Sequence, residues 1–283
     1  MQENNTAQIG VLLVNLGTPD SPNTSDVRKY LREFLMDARV IDIPALPRWL
    51  LVNLIIATFR APKSAKAYQK LWTSNGSPLK YYGLETEKLL QEALGGNYLV
   101  KIAMRYQNPS IAQRLEEFRK ENVDKIIVLP LFPQYASATS GSVYQKVMEI
   151  IAKWQNIPAI EFVQFFYNHP LFIDAFADLG KKYLEKQTYD HVLFTYHGLP
   201  ESQIRKADSH KHCLLHNNTA EVGCCATMGN KNKFCYRAQC FQTSRLLAKA
   251  LGLEENQYTT SFQSRLGKAV WIQPYTEDMV KKL

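Results

Sequence analysis

The chain has 283 residues, 46% of them apolar and 21% charged, with a formal net charge of +8. Such a length and balance bury one large core or two medium ones and exclude a disordered or fibrous chain. The opening Met1-Gln2-Glu3-Asn4-Asn5-Thr6 has neither the basic nor the apolar region of a secretory signal, so a cytoplasmic protein is expected. The Lys and Arg residues are scattered, without a dense run or a nucleic-acid module. Nucleic acid is therefore not expected as a partner, whereas an anionic small molecule or an anionic membrane surface suits the charge.

Taken in chain order, strand-like segments fall near 9–16, 98–104, 124–131, 158–163, 190–196 and 257–262. Helical patterns lie near 24–36, 61–71, 82–94, 109–120, 140–153, 169–186 and 234–251. This alternation is the pattern of parallel sheets with helices on both faces. The first strand runs straight into the turn Gly17-Thr18-Pro19, and Ser25-Asp26-Val27-Arg28 reads as a helix start with Leu31, Phe34 and Leu35 on one face. Residues 49–59, almost wholly apolar between Arg48 and Arg60, fall well short of the ~20 needed to span a bilayer and read by default as a core helix. Asn75-Gly76-Ser77-Pro78-Leu79 is a turn by composition. No period of about 20–50 residues repeats strictly, which excludes a solenoid. Both halves nevertheless open with a strand, a Gly/Pro turn and a polar helix start. Two α/β domains, 1–165 and 166–283, are expected, with the boundary near 162–170.

The second half holds the most informative stretch, Phe194-Thr195-Tyr196-His197-Gly198-Leu199-Pro200. It ends a β-branched and aromatic run on a histidine that Gly198 and Pro200 force into a turn. In open α/β sheets ligands sit outside the carboxyl ends of strands, so His197 stands where such folds keep their chemistry. A neutral imidazole there takes a proton near neutral pH or binds a metal ion. The alternative is a hydrogen-bonded histidine that only closes a strand.

All five cysteines, Cys213, Cys224, Cys225, Cys235 and Cys240, crowd into one short segment. Disulfides are disfavoured in a cytoplasmic setting. Structural zinc takes four thiolates, or three with His212 or His216, but the short paired spacing of zinc knuckles is absent. A [2Fe–2S] cluster also takes four thiolates and tolerates irregular spacing.

Further motifs agree with one another. They are Asn15-Leu16-Gly17-Thr18-Pro19, Ala103-Met104-Arg105-Tyr106, Val128 to Tyr135, Ser261-Phe262-Gln263-Ser264-Arg265 and Trp271-Ile272-Gln273-Pro274-Tyr275-Thr276. Together with the His197 stretch they resemble ferrochelatase, the lyase of heme biosynthesis that inserts ferrous iron into a porphyrin. The resemblance runs in order through nearly the whole chain. It implies two Rossmann-like domains of the chelatase type with the active cleft between them, His197 as catalytic and metal-binding residue, and Leu16, Arg105 and Tyr106 as porphyrin-binding residues. Arg105 has a second reading as the partner of an acid, and Tyr106 and Tyr135 have one as core aromatics. For Tyr135 the core reading is preferred.

The opening motif is closer to relatives that use protoporphyrin IX. Residues 49–59 correspond to an apolar lip at the pocket mouth, which implies peripheral contact with a membrane surface, the inner membrane in a bacterium. A subset of the family carries a [2Fe–2S] cluster in an internal cysteine-rich insertion like residues 210–240, which implies a cluster on four of the five cysteines, with zinc as the alternative. Ferrous iron is then the substrate. Ferrochelatases also continue beyond the Trp271–Thr276 motif to an acidic residue facing the histidine. The sequence ends at Leu283, before that segment, and a truncated form of a longer protein is expected. Two other functions compete: a tetrapyrrole- or iron-binding protein without turnover, and an iron–sulfur electron carrier.

Overall fold

Nine residues, Ile9–Gly17, form the strand β1 around which the first sheet is laid. The computed structural model describes residues 8–213, 223–265, 267 and 269–283. The chain divides into two units, Met1–Phe132 with Ser137–Gln164, and Pro133–Ala136 with Phe165–Leu283.

In the first unit β1 lies between β2 (Tyr98–Tyr106) and β3 (Lys125–Pro130), and β3 carries β4 (Ala159–Phe162) at the edge. All three pairings are parallel, with Val11 opposite Val100 and Leu12 opposite Val128. Because side chains alternate across a strand, Leu12 and Val14 face one side and Val11 and Leu13 the other. Leu12 and Val14 pack with Ile111, Leu115 and Phe118 of α5 (Ile111–Lys120) and with Val143 and Val147 of α6 (Ser142–Ile151). On the opposite face Val11 and Leu13 join Val100, Ile102, Met104 and Leu90, the last from α4 (Pro78–Leu94). Helices therefore cover both faces, and this is why the central strand reads as a continuous apolar run instead of an alternating one.

Before α4 come α1 (Thr24–Leu35), α2 (Ala45–Leu50), a π-helical stretch Leu51–Arg60 and α3 (Ala61–Leu71). The apolar segment divides its residues. Val52, Ile56 and Ala57 are buried, whereas Leu54, Ile55 and Phe59 are exposed. The turn expected at 75–79 closes earlier, through reciprocal backbone hydrogen bonds between Thr73 and Gly76. Pro78 already opens α4, where its fixed φ and missing N–H cost nothing.

The second unit contains α7 (Pro170–Leu184), β5 (Val192–His197), α8 (Glu201–Ala207), α9 (Tyr236–Leu251), β6 (Tyr258–Gln263) and α10 (Thr276–Val280). Strands β5 and β6 pair in parallel, and among the described residues they make a two-stranded sheet. Its core joins Ile204, Ala238, Phe241, Phe262 and Ile272 to the buried Cys224, Cys225 and Cys240. Here the cysteines are core residues as well as thiols.

Candidate functional site

His197 is the last residue of β5 and lies opposite Gln263 of β6. The next residue crosses that strand end closely, since Gly198 N–H donates to the Gln263 carbonyl at 2.7 Å. A Cβ on Gly198 would stand 2.9 Å from that same oxygen and 3.2 Å from the Trp271 ring, so a glycine is needed where the chain turns away from the histidine. The His197 ring is fixed by a 2.7 Å contact from Nδ1 to the Gly198 carbonyl. A carbonyl oxygen only accepts, so Nδ1 carries the hydrogen and Nε2 holds the lone pair. Two aromatic residues complete the surroundings: the Tyr236 hydroxyl donates to the His197 carbonyl at 2.8 Å, and the Trp271 ring lies 6.4 Å away.

In the first unit Leu16, Arg105 and Tyr106 come from the carboxyl ends of the neighbouring strands β1 and β2. Leu16 is half-buried, and its N–H donates to the Asn15 side chain at 2.8 Å. Gly17 has φ +114°, and a Cβ on it would lie 2.0 Å from the Tyr106 carbonyl oxygen, which sets how closely these strand ends approach.

Arg105 donates through Nη2 to Asp37 at 2.7 Å and through Nε to the Ser142 hydroxyl at 2.7 Å. It also stacks over the Tyr106 ring at 4.5 Å. The Tyr106 hydroxyl donates to the same Asp37 oxygen at 2.9 Å, and Ser142 donates to it at 2.5 Å. Burial opposes ionisation of Asp37, but hydrogen bonds from Ser142, the Arg39 N–H and Tyr106, with the Arg105 charge, hold its carboxyl below the ordinary range. Burial pushes the Tyr106 phenol well up, so it serves as a neutral donor. Asp37 and Ser142 carry no motif or spacing that marks them in the sequence. Only the fold brings them to Arg105. Tyr135, in the second unit, packs edge-on against Phe234 at 5.4 Å and donates its N–H to Gln239.

No disulfide joins any of the five cysteines, which fall into two groups. Cys213 is in hydrogen-bond contact with Cys224, Cys224 with Cys225, and Cys225 with Cys235. The hydrogen bond from Cys235 draws the Cys225 thiol down to about 6 against the effect of burial, helped by the Arg237 charge. Arg237 itself donates to Cys225 Sγ at 3.4 Å. Burial pushes Cys213 up to about 12, with the neighbouring Cys224 adding to the effect. The loop is braced by Asn232, whose amide donates to the carbonyls of Cys224 and Thr227 and accepts from Gly229 N–H. Cys240 stands apart, fully buried on α9 with Tyr236 as its hydrogen-bond partner.

Among the described residues, no three His, Cys, Asp or Glu side chains surround one metal-ion position. His216 lies outside the described residues. The described thiols instead form a continuous chain of contacts, Cys213–Cys224–Cys225–Cys235. Four thiolates are a ligand set that either a [2Fe–2S] cluster or a single zinc ion takes.

A family model described as Ferrochelatase matches residues 8–283. A protein named Ferrochelatase from Legionella pneumophila, strain Corby, is 46% identical over 274 residues, which are 97% of this chain and 79% of that protein. Another of the same name from Coxiella burnetii, strain RSA 493, is 43% identical over 280 residues, 99% of this chain and 76% of its own length.

Proposed function

The chain belongs to the ferrochelatase family, and on that premise we propose that it is the lyase that inserts ferrous iron into protoporphyrin IX in heme biosynthesis, with His197 at the reacting centre. Insertion requires two pyrrole N–H protons to leave as one Fe2+ enters. His197 Nε2 takes them in turn and passes each to solvent. The observation that carries this role is the Nδ1–H bond to the Gly198 carbonyl. It keeps the lone pair on Nε2 and persists when the ring becomes imidazolium, so it stabilises the protonated state as well as the neutral one. The same lone pair suits arriving iron.

Leu16 packs on the macrocycle. Arg105 and Tyr106, tied to Asp37, give the porphyrin a rigid wall. The chain of four thiols and the Arg237 charge support a [2Fe–2S] cluster on Cys213, Cys224, Cys225 and Cys235, with Cys240 as the spare thiol. When bound, the cluster pins the polar loop around Asn232, because ligand binding energy at such a site is folding energy. It takes no part in metallation, which leaves the iron ferrous.

No helix among the described residues is long and apolar enough to cross a membrane. The exposed Leu46, Trp49, Leu54, Ile55 and Phe59, with Arg48 and Arg60 beside them, support peripheral contact with an anionic bilayer. The test of the whole reading is anaerobic mixing of protein, protoporphyrin IX and ferrous iron, followed by heme absorbance. Catalytic heme formation that depends on His197 supports it. Stoichiometric porphyrin binding without turnover supports the non-catalytic alternative.

A further inference from the structure

Three consecutive residues join the two features of the second unit. Cys235 belongs to the thiol chain, Tyr236 donates its hydroxyl to the His197 carbonyl at 2.8 Å, and Arg237 donates to Cys225 Sγ at 3.4 Å. The other nitrogens of Arg237 grip one backbone oxygen, the Gln273 carbonyl, at 3.0 and 2.8 Å. Arg237 is only 2% exposed, and its guanidinium also stacks on Phe241 at 4.7 Å, so this bridge is rigid. The segment it grips pairs with the turn that follows the histidine. Ile272 N–H donates to the Leu199 carbonyl and Glu201 N–H to the Val270 carbonyl, both at 2.9 Å. The turn that follows His197 is therefore held on one side by Tyr236 and on the other by a segment anchored to Arg237.

We infer that Tyr236 and Arg237 are positioning residues that couple the order of the cysteine site to the placement of the His197 ring. The inference rests on the proposed roles of His197 and of the four thiols. Neither residue touches the reacting atoms. Tyr236 fixes the His197 main chain, and Arg237 turns loss of the thiol-bound group into loosening of residues 270–273. Both act through backbone carbonyls, so their effect reaches the imidazole as a change in position and not in charge.

Tyr236→Phe and Arg237→Gln, compared with the wild-type protein, test this through dithionite-sensitive absorbance, amide exchange of peptides 196–200 and 271–275, and steady-state heme formation. Tyr236→Phe is expected to keep wild-type absorbance and melting temperature. Its kcat falls about five-fold at unchanged porphyrin KM, the rate equivalent of one neutral hydrogen bond. Exchange in peptide 196–200 rises in parallel. Stripping the metal site of wild type with a chelator raises exchange in 271–275, and the loaded Arg237→Gln variant already exchanges at that raised level. Wild-type kcat and protection in Tyr236→Phe, or equal protection in stripped and loaded wild type, overturns the inference. A colourless wild-type protein overturns the cluster reading alone, and Tyr236→Phe then still decides the link to His197.

Discussion

Asp37 and Arg105 meet at 2.7 Å as a buried ion pair, their side chains 8% and 14% exposed. One oxygen of the same carboxylate also collects the hydroxyls of Tyr106 and Ser142, so three donors, two from β2 and one from α6, converge on one acceptor. An acid this enclosed organises the surrounding residues, because removing it strands a buried guanidinium and a buried phenol together.

Replacing Asp37 by Ala is expected to destabilise the first unit by about 3 kcal/mol, the cost of leaving one member of a buried pair uncompensated. The sign of the pH dependence follows from its lowered pKa. The folded carboxyl ionises below its ordinary range, so its contribution is complete above about pH 4. It is lost as the pH falls through the lower folded value. Urea midpoints of wild type and Asp37→Ala should differ at pH 7 and converge in strong acid. A difference that persists unchanged at the lowest pH would contradict the charge-based account.

Gly17→Ala should cost about 3 kcal/mol or prevent folding, because it combines a left-handed φ with a collision. The new Cβ would lie 2.0 Å from the Tyr106 carbonyl oxygen. Expression yield and thermal midpoint are the readouts, with Gly95→Ala as the control for a glycine that also has a positive φ, +75°, but open space around it.

His197→Ala should lower kcat at least about a hundred-fold, the lower range for loss of a positioned general base. The melting temperature should stay near that of wild type, because the ring lies at an exposed strand end. Steady-state heme formation measures the rate. Activity within a few-fold of wild type would remove His197 from the centre of the reaction.

Serine at Cys213, Cys224, Cys225 or Cys235 should each abolish the visible absorbance of anaerobically purified protein and lower its melting temperature. Cys240→Ala should retain the colour and cost only about 1 kcal/mol, as expected for a small cavity in the core. Iron and sulfide analysis gives the direct count. Colourless protein holding one zinc ion would point to the tetrahedral alternative.

Phe59→Asp with Ile55→Asp should sharply reduce sedimentation with vesicles rich in anionic lipid, and should leave protein stability unchanged, because both side chains face outward. Equal sedimentation of the variant and wild type would leave the exposed apolar segment without a membrane role.

Period and punctuation determined much of this protein before any tertiary contact was known. The strands and the longer helices follow from the sequence because β1 is buried on both faces and because turns such as Gly17-Thr18-Pro19 can be read locally, whereas the short α2 and α8 were not expected. The placement of His197 follows in the same way, since a strand running into Gly198 and Pro200 has one carboxyl end. Local pattern carries no information on what meets across the fold. Asp37 lies 68 positions from Arg105 and 105 from Ser142, and no periodicity links them. The same holds for the thiols: five cysteines were visible in the sequence, but their division into a chain of four and a lone Cys240 depends on where the start of α9 docks. The apolar segment at 49–59 was legible as hydrophobic, yet its split into a buried and an exposed face was set by α1 packing on one side of it only. Side-chain identity and spacing fix local conformation, whereas the partners of buried charges and thiols are chosen by chain closure over long separations.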